Sequence, residues 1–185
     1  MKYKINKFPI LIAATPRSGS SSLLSLISIV YNIQKFNEPN FSFIGWRSQL
    51  TNLMNRGIPF VVKLMPLYVS LLKNIENYYI IKLSRKNHID QCVSWYIATK
   101  LNIWHRKRKE RNEFYVDIDN DLIKESIRLI KHQRSLFDNL PIISDLNLFY
   151  EDLDLSESEN IKNPLPSNID DIRQAVINFY DNVTF

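Results

Sequence analysis

The sequence predicts an α/β protein built on a mainly parallel central sheet. Three observations carry that expectation. Short apolar runs rich in β-branched and aromatic residues recur along the chain. Between them lie segments whose apolar residues follow helical spacing. That alternation is the pattern of parallel strands joined by crossover helices. The third observation is a small-residue loop, "ATPRSGSSS", directly after the first apolar run. In open parallel sheets, ligands gather at the carboxyl ends of the strands.

The elements follow in order. "FPILIAA" reads as a buried strand. Ser20 to Ile33 reads as a helix, with Leu23, Leu24, Leu26, Ile27 and Val30 as its apolar positions. "FNEPNFSF" is expected to be a loop, broken by Pro39. Trp46 to Asn55 reads as a helix that Gly57 ends. "PFVVKLM" is a second strand, with Pro59 at its start and Pro66 after it. "YVSLLKNI" is expected to be a short helix, and "YYIIKLS" a third strand. A long helix from Ile89 carries Val93, Trp95, Tyr96 and Leu101. Another spans Asp121 to Phe137. "PIISDLNLFY" is a fourth strand, followed by the acidic loop "EDLDLSESEN". A last helix runs from Ile169 to Tyr180.

With 185 residues, the chain suits one domain, residues 1–185, with a sizeable core. A hydrophobic content of 45% and a charged content of 23% are ordinary for a globular protein. Cys92 is the single cysteine, so an internal disulfide is excluded and a thiolate metal cluster is not expected. A reducing, cytoplasmic setting fits. Lys2, Lys4 and Lys7 before "FPILIAA" have the outline of a secretory signal. The apolar run is short, however, and a cleavage after it would part the glycine loop from its strand. No apolar run is long enough to span a bilayer, so no membrane partner is expected.

The formal net charge is +5. Lys100, Arg106, Lys107, Arg108, Lys109 and Arg111, against Glu110 alone, account for all of it. The cluster invites a nucleic-acid reading. No aromatic residue interrupts the run from Arg106 to Arg111, and a solvated helix end explains it as well, so no nucleic-acid partner is expected.

The chain has three glycines, Gly19, Gly45 and Gly57. Gly19 stands among Ser18, Ser20, Ser21 and Ser22, after Pro16 and Arg17. A strand, a small-residue loop and a helix form an anion-binding device. Loop N–H groups converge, and the helix N-terminus adds about half a positive charge. Gly19 permits close approach or a positive φ. Ser20 and Ser21 offer hydroxyls, and Arg17 offers a fixed charge and a planar fork of donors. The nucleotide-triphosphate signature G-x-x-x-x-G-K-[ST] is absent, because no earlier glycine and no following lysine are present. The dinucleotide fingerprint fails for want of glycines. A serine-rich helix cap is the alternative reading of the same residues. In "KLSRKNHIDQCVSWYIA", Arg85 ends the third strand and Ser94 lies nine residues later on the next helix. Such a pair can converge on a second phosphate.

Together these segments resemble the sulfotransferases that use 3′-phosphoadenosine 5′-phosphosulfate (PAPS). Pro16-Arg17-Ser18-Gly19-Ser20-Ser21 is similar to the loop that cradles the 5′-phosphosulfate in that family. Arg85 and Ser94 look like its 3′-phosphate pair. "QCVSWYIA" and the gap before it look most like the bacterial branch that includes trehalose 2-sulfotransferase. Lys63 in "FVVKLM", and "FYEDL" at Phe149 to Leu153, also have counterparts. Ser22 stands where many members have Trp, and the C-terminal Arg-Lys-Gly segment of other branches is missing. The resemblance implies a P-loop-like three-layer α/β/α fold, PAPS as donor, and a hydroxylated small molecule or carbohydrate as acceptor. It implies cofactor contacts from Arg17, Ser18, Gly19, Ser20, Ser21, Arg85 and Ser94. Arg17 would stabilise charge on the leaving phosphate. Glu38, in the loop after the first helix, is either the general base near the acceptor, which is the expectation, or a loop glutamate beside a proline turn. Lys63 either touches the substrate or is a structural lysine with its stem on apolar surface. Glu151 and Asp152 are expected to cap or brace the late loop. No metal is required, and His88, His105 and His132 lack ligand spacing. The rival readings are a basic nucleic-acid-binding module and a nucleotide-binding protein without transferase activity.

Overall fold

The structure is a computed structural model, and it describes residues 5–37, 43–102, 104, 114–153 and 165–184. In chain order the elements are β1 (Ile10–Ala14), α1 (Ser20–Tyr31), β2 (Gln34–Phe36), α2 (Phe43–Asn55), β3 (Phe60–Leu64) and α3 (Pro66–Val69). Then come β4 (Tyr79–Ser84), α4 (His88–Lys100), α5 (Asn120–Asp138), β5 (Leu146–Phe149) and α6 (Ile169–Tyr180). Short 3-10 turns cover Ile75–Asn77 and Tyr150–Asp152. The five strands form one sheet in the order β2-β3-β1-β4-β5, and every neighbouring pair is parallel.

β1 lies at the centre, and all of its residues are buried. Strand periodicity sends its side chains to opposite faces. Ile10, Ile12 and Ala14 pack with Leu23, Leu24 and Ile27 of α1. Leu11 and Ala13 pack on the other face with Leu50 of α2, Val69 of α3 and Phe137 of α5. Helices thus cover both faces, as in a three-layer α/β/α arrangement. Each fully buried Leu or Ile contributes about 1.5–3 kcal/mol relative to exposure, which is why two apolar faces per strand appear as continuous apolar runs. A third cluster joins α4, α5 and α6 through Val93, Tyr96, Ile127, Ile130, Ile172 and Val176.

The topology fixes where a ligand would sit. From β1 the chain passes outward over β3 to β2, whereas from β4 it steps the other way to β5. The direction reverses between β1 and β4, and their carboxyl ends flank the resulting crevice. The apolar run after Lys7 is therefore the middle of the sheet.

Several elements differ from expectation. β2 was not foreseen, because "QKF" is a mostly exposed three-residue edge that, among the described residues, pairs with β3 alone. α2 begins at Phe43, before the expected Trp46. The helix expected at "YVSLLKNI" is replaced by α3, with Pro66 in its first turn, and a separate 3-10 turn after Asn74 in the left-handed region, φ 55°. The fourth strand is shorter than expected and begins at Leu146. Ahead of it, the Asp145 carboxylate accepts from Ile80 N at 2.7 Å, which ties the approach to β4. No helix among the described residues is long and apolar enough to cross a membrane.

Candidate functional site

The glycine loop leaves β1 beside the end of β4. Ala14 pairs with Leu83, and Thr15 N donates to Leu83 O at 3.3 Å. The loop then turns through two left-handed residues, Arg17 at φ 57° and Gly19 at φ 74°. Gly19 is the N-cap of α1 and supplies no side-chain cap; no acidic residue lies in the first turn. Its carbonyl accepts from Ser22 N and Leu23 N at 3.0 and 3.1 Å. The positive end of α1 therefore faces the crevice without a neighbouring carboxylate from its own first turn.

The register explains what Gly19 meets. Ser84 pairs with Phe149, so Arg85 and Tyr150 leave the sheet edge side by side. The Tyr150 ring rests on the glycine: a Cβ at position 19 would fall 2.2 Å from its Cδ2 and 2.5 Å from its Cε2. The close approach that the sequence suggests for an anion is made here by an aromatic ring. The same ring faces the Arg85 guanidinium, 5.1 Å from its centroid.

The two sequence-distant halves of the expected site meet. Arg17 Nε donates to Ser94 Oγ at 2.9 Å, and Arg17 Nη1 to Trp104 O at 3.3 Å. Arg85 Nη1 donates to Arg17 O at 3.5 Å. Among the described residues, Arg85 Nε is buried without a hydrogen-bond partner; Glu151 Oε1 lies 3.6 Å away, an ion-pair distance but too long for a hydrogen bond. Burial, and then the positive charge of Arg85, push the Arg17 guanidinium below the ordinary arginine value, while Tyr150 opposes them. Two cations thus share a crevice in which an anion would relieve their repulsion.

Other expected residues fall as follows. Ser18 is fully buried, and its hydroxyl donates to Thr15 O at 2.6 Å. Its contribution to an anion would therefore come through the main chain. Ser21 Oγ accepts from Lys63 Nζ at 3.3 Å. Lys63 is itself buried, at 7% exposure, and is carried by β3 next to β1. Ser20 opens α1 and is buried. Glu38, His105 and the basic residues from Arg106 to Arg111 lie outside the described residues. Lys100 pairs with Asp119 at 3.1 Å.

Glu151 braces α4: it accepts from Lys86 N at 2.9 Å and Asn87 N at 3.0 Å. Burial alone would raise its pKa, but those N–H groups, with Arg85, bring it below the ordinary glutamate value. Asp152 pairs with Lys86 at 2.6 Å. His88 opens α4, with Nδ1 3.4 Å from the Tyr180 hydroxyl. Burial pushes the Cys92 thiol up to about 12, as for a core residue. Trp95 packs edge-on against Trp104, centroids 4.8 Å apart.

Two residues that sequence reasoning passed over stand behind the crevice. Gln91, fully buried on α4, donates from Nε2 to Thr15 Oγ1 at 3.0 Å and to Pro16 O. Arg134 of α5 donates to Arg85 O at 3.0 Å and to Gln91 Oε1 at 3.4 Å. A glutamine inside a helical pattern carries no signal of such a role; only its complete burial does.

Among the described residues, no group of three or more His, Cys, Asp or Glu side chains is arranged to hold a metal ion. Comparison with protein-family models gives no match, and comparison with curated proteins gives none.

Proposed function

We propose that the chain is a PAPS-dependent sulfotransferase with a P-loop-like α/β fold, acting on a hydroxyl of a small molecule or carbohydrate. The observation that carries the reading is the convergence of Arg17, Ser94 and Arg85 at the β1–β4 crevice. Arg17 comes from the glycine loop and Arg85 and Ser94 from the β4–α4 segment, and Arg17 is 77 positions from the Ser94 it bonds. The buried, unpartnered Nε of Arg85 and the like charge of Arg17 beside it suit an anionic ligand with more than one charged group.

PAPS, when bound, supplies a sulfuryl group on an activated phosphate. In this reading Arg17 and the N-terminus of α1 meet the negative charge that grows on the leaving phosphate oxygen. Arg85 and Ser94 hold the 3′-phosphate. Lys63, linked to Ser21, stands on the sulfonate side. Glu38 takes the acceptor proton as the acceptor oxygen bonds to sulfur and the sulfur–oxygen bond to phosphate breaks.

The test compares 3′-phosphoadenosine 5′-phosphate with ATP in thermal unfolding. At about 100 times its Kd, the bisphosphate should add about 2.7 kcal/mol. ATP at the same concentration should add far less. Equal stabilisation by both nucleotides, or none by either, would sink the reading.

A further inference from the structure

We infer that Gln91 and Arg134 set the spacing between two anion positions in the crevice; the inference rests on the reading just given. Neither residue is placed to touch the anion. They act on the main chain that carries the residues that do.

The string is continuous. Arg134 on α5 donates to the carbonyl of Arg85 and to Oε1 of Gln91. Gln91 on α4 passes the link on, donating to Thr15 Oγ1 and to Pro16 O. Pro16 immediately precedes Arg17, so a single relay, fully buried at Gln91 and part-buried at Arg134, fixes the backbone at both arginines. Gln91 has no exposure to solvent, so water does not substitute for these bonds without a rearrangement. An amide suits the position because it donates and accepts on opposite sides. A carboxylate there would lose both donations to the loop.

Spacing matters only to a ligand that occupies both positions at once. Joining two anionic groups in one molecule makes the second contact intramolecular, and the gain depends on the match between ligand span and site span. A ligand with one anionic end has no span to match. This separates a positioning role from a merely structural one, which would weaken both ligands alike.

The experiment measures binding of 3′-phosphoadenosine 5′-phosphate and of adenosine 5′-phosphosulfate, which lacks the 3′-phosphate, by calorimetry well below the thermal midpoint. Gln91→Met keeps the volume and removes the hydrogen bonds. It should weaken the bisphosphate about tenfold or more and the single-ended nucleotide less than about twofold. Arg134→Lys keeps the charge and shortens the reach; it should show the same asymmetry, and it serves if Gln91→Met does not fold. Equal losses for both nucleotides, or no loss for either, would overturn the inference while leaving the sulfotransferase reading intact. If the wild-type chain binds neither nucleotide, the reading itself fails, and the inference falls with it.

Discussion

Replacing Gly19 by alanine tests the loop geometry without any ligand. The perturbation has two parts. A residue with a Cβ in the left-handed region costs about 1–2 kcal/mol, and Gly19 sits at φ 74°. The new methyl would also fall 2.2 Å from Tyr150 Cδ2, so the ring must leave its seat. Displacing a packed side chain adds about 1–3 kcal/mol. Gly19→Ala should therefore lose about 2–5 kcal/mol in urea unfolding followed by circular dichroism. A double-mutant cycle separates the parts. On a Tyr150→Ala background no ring remains to be displaced, and only the backbone cost of about 1–2 kcal/mol should persist. A Gly19→Ala cost that is the same with and without Tyr150 would refute the claim that the ring occupies the glycine's open side.

Three further expectations concern the proposed site residues and the Glu151 brace. Arg85→Ala should weaken 3′-phosphoadenosine 5′-phosphate by about 1.5–3 kcal/mol and Ser94→Ala by about 1, with little change for the analogue lacking the 3′-phosphate; equal losses on both nucleotides by titration calorimetry would reassign the pair. Glu38→Gln should lower turnover about 10²–10⁴-fold with nucleotide affinity nearly unchanged, and an acceptor screen with labelled PAPS measures it; near-full turnover would move the base elsewhere. The depressed pKa of Glu151 contributes stability that is fully present above its unfolded value of about 4.3 and lost as pH falls through the folded value. Glu151→Gln should flatten that acid limb in urea titrations against pH, and an unchanged slope would exclude Glu151 as a source of acid sensitivity.

The strongest strands were legible because they are buried on both faces. "ILIAA", "FVVKL" and "YIIKLS" stand out as apolar runs, and the loop after the first of them announces itself by its glycine and serines. The spacing put Arg85 at the end of a strand and Ser94 on the following helix, and the structure has them there, but it is Arg17 that bonds Ser94. β2 was not legible, because an edge strand of "QKF" is held by its neighbour's hydrogen bonds rather than by its own apolar pattern. The seat of Tyr150 on Gly19 was not legible either. It depends on the register of β5 against β4, and residues 19 and 150 share no local pattern. Gln91 and Arg134 were missed for the same reason: their importance lies in what their polar atoms reach once two helices and two loops have come together.

The seat of Tyr150 has a consequence for how the protein matures as it is synthesised. Both crevice arginines emerge from the ribosome in the first half of the chain. β1, β3 and β4 can pair as soon as they are free. The side chains that orient Arg85 come much later: Arg134 on α5, then Tyr150 and Glu151 just after β5. Among the described residues β5 joins the sheet through β4 alone, so these contacts await the docking of an outermost strand. Non-local pairing of this kind is a slow step, because chain entropy is lost before the contact forms. A chain cut short before Tyr150 would retain both arginines but neither the ring nor the carboxylate that steadies the second one. The surroundings of Arg85 are thus completed late, when β5 has paired with β4.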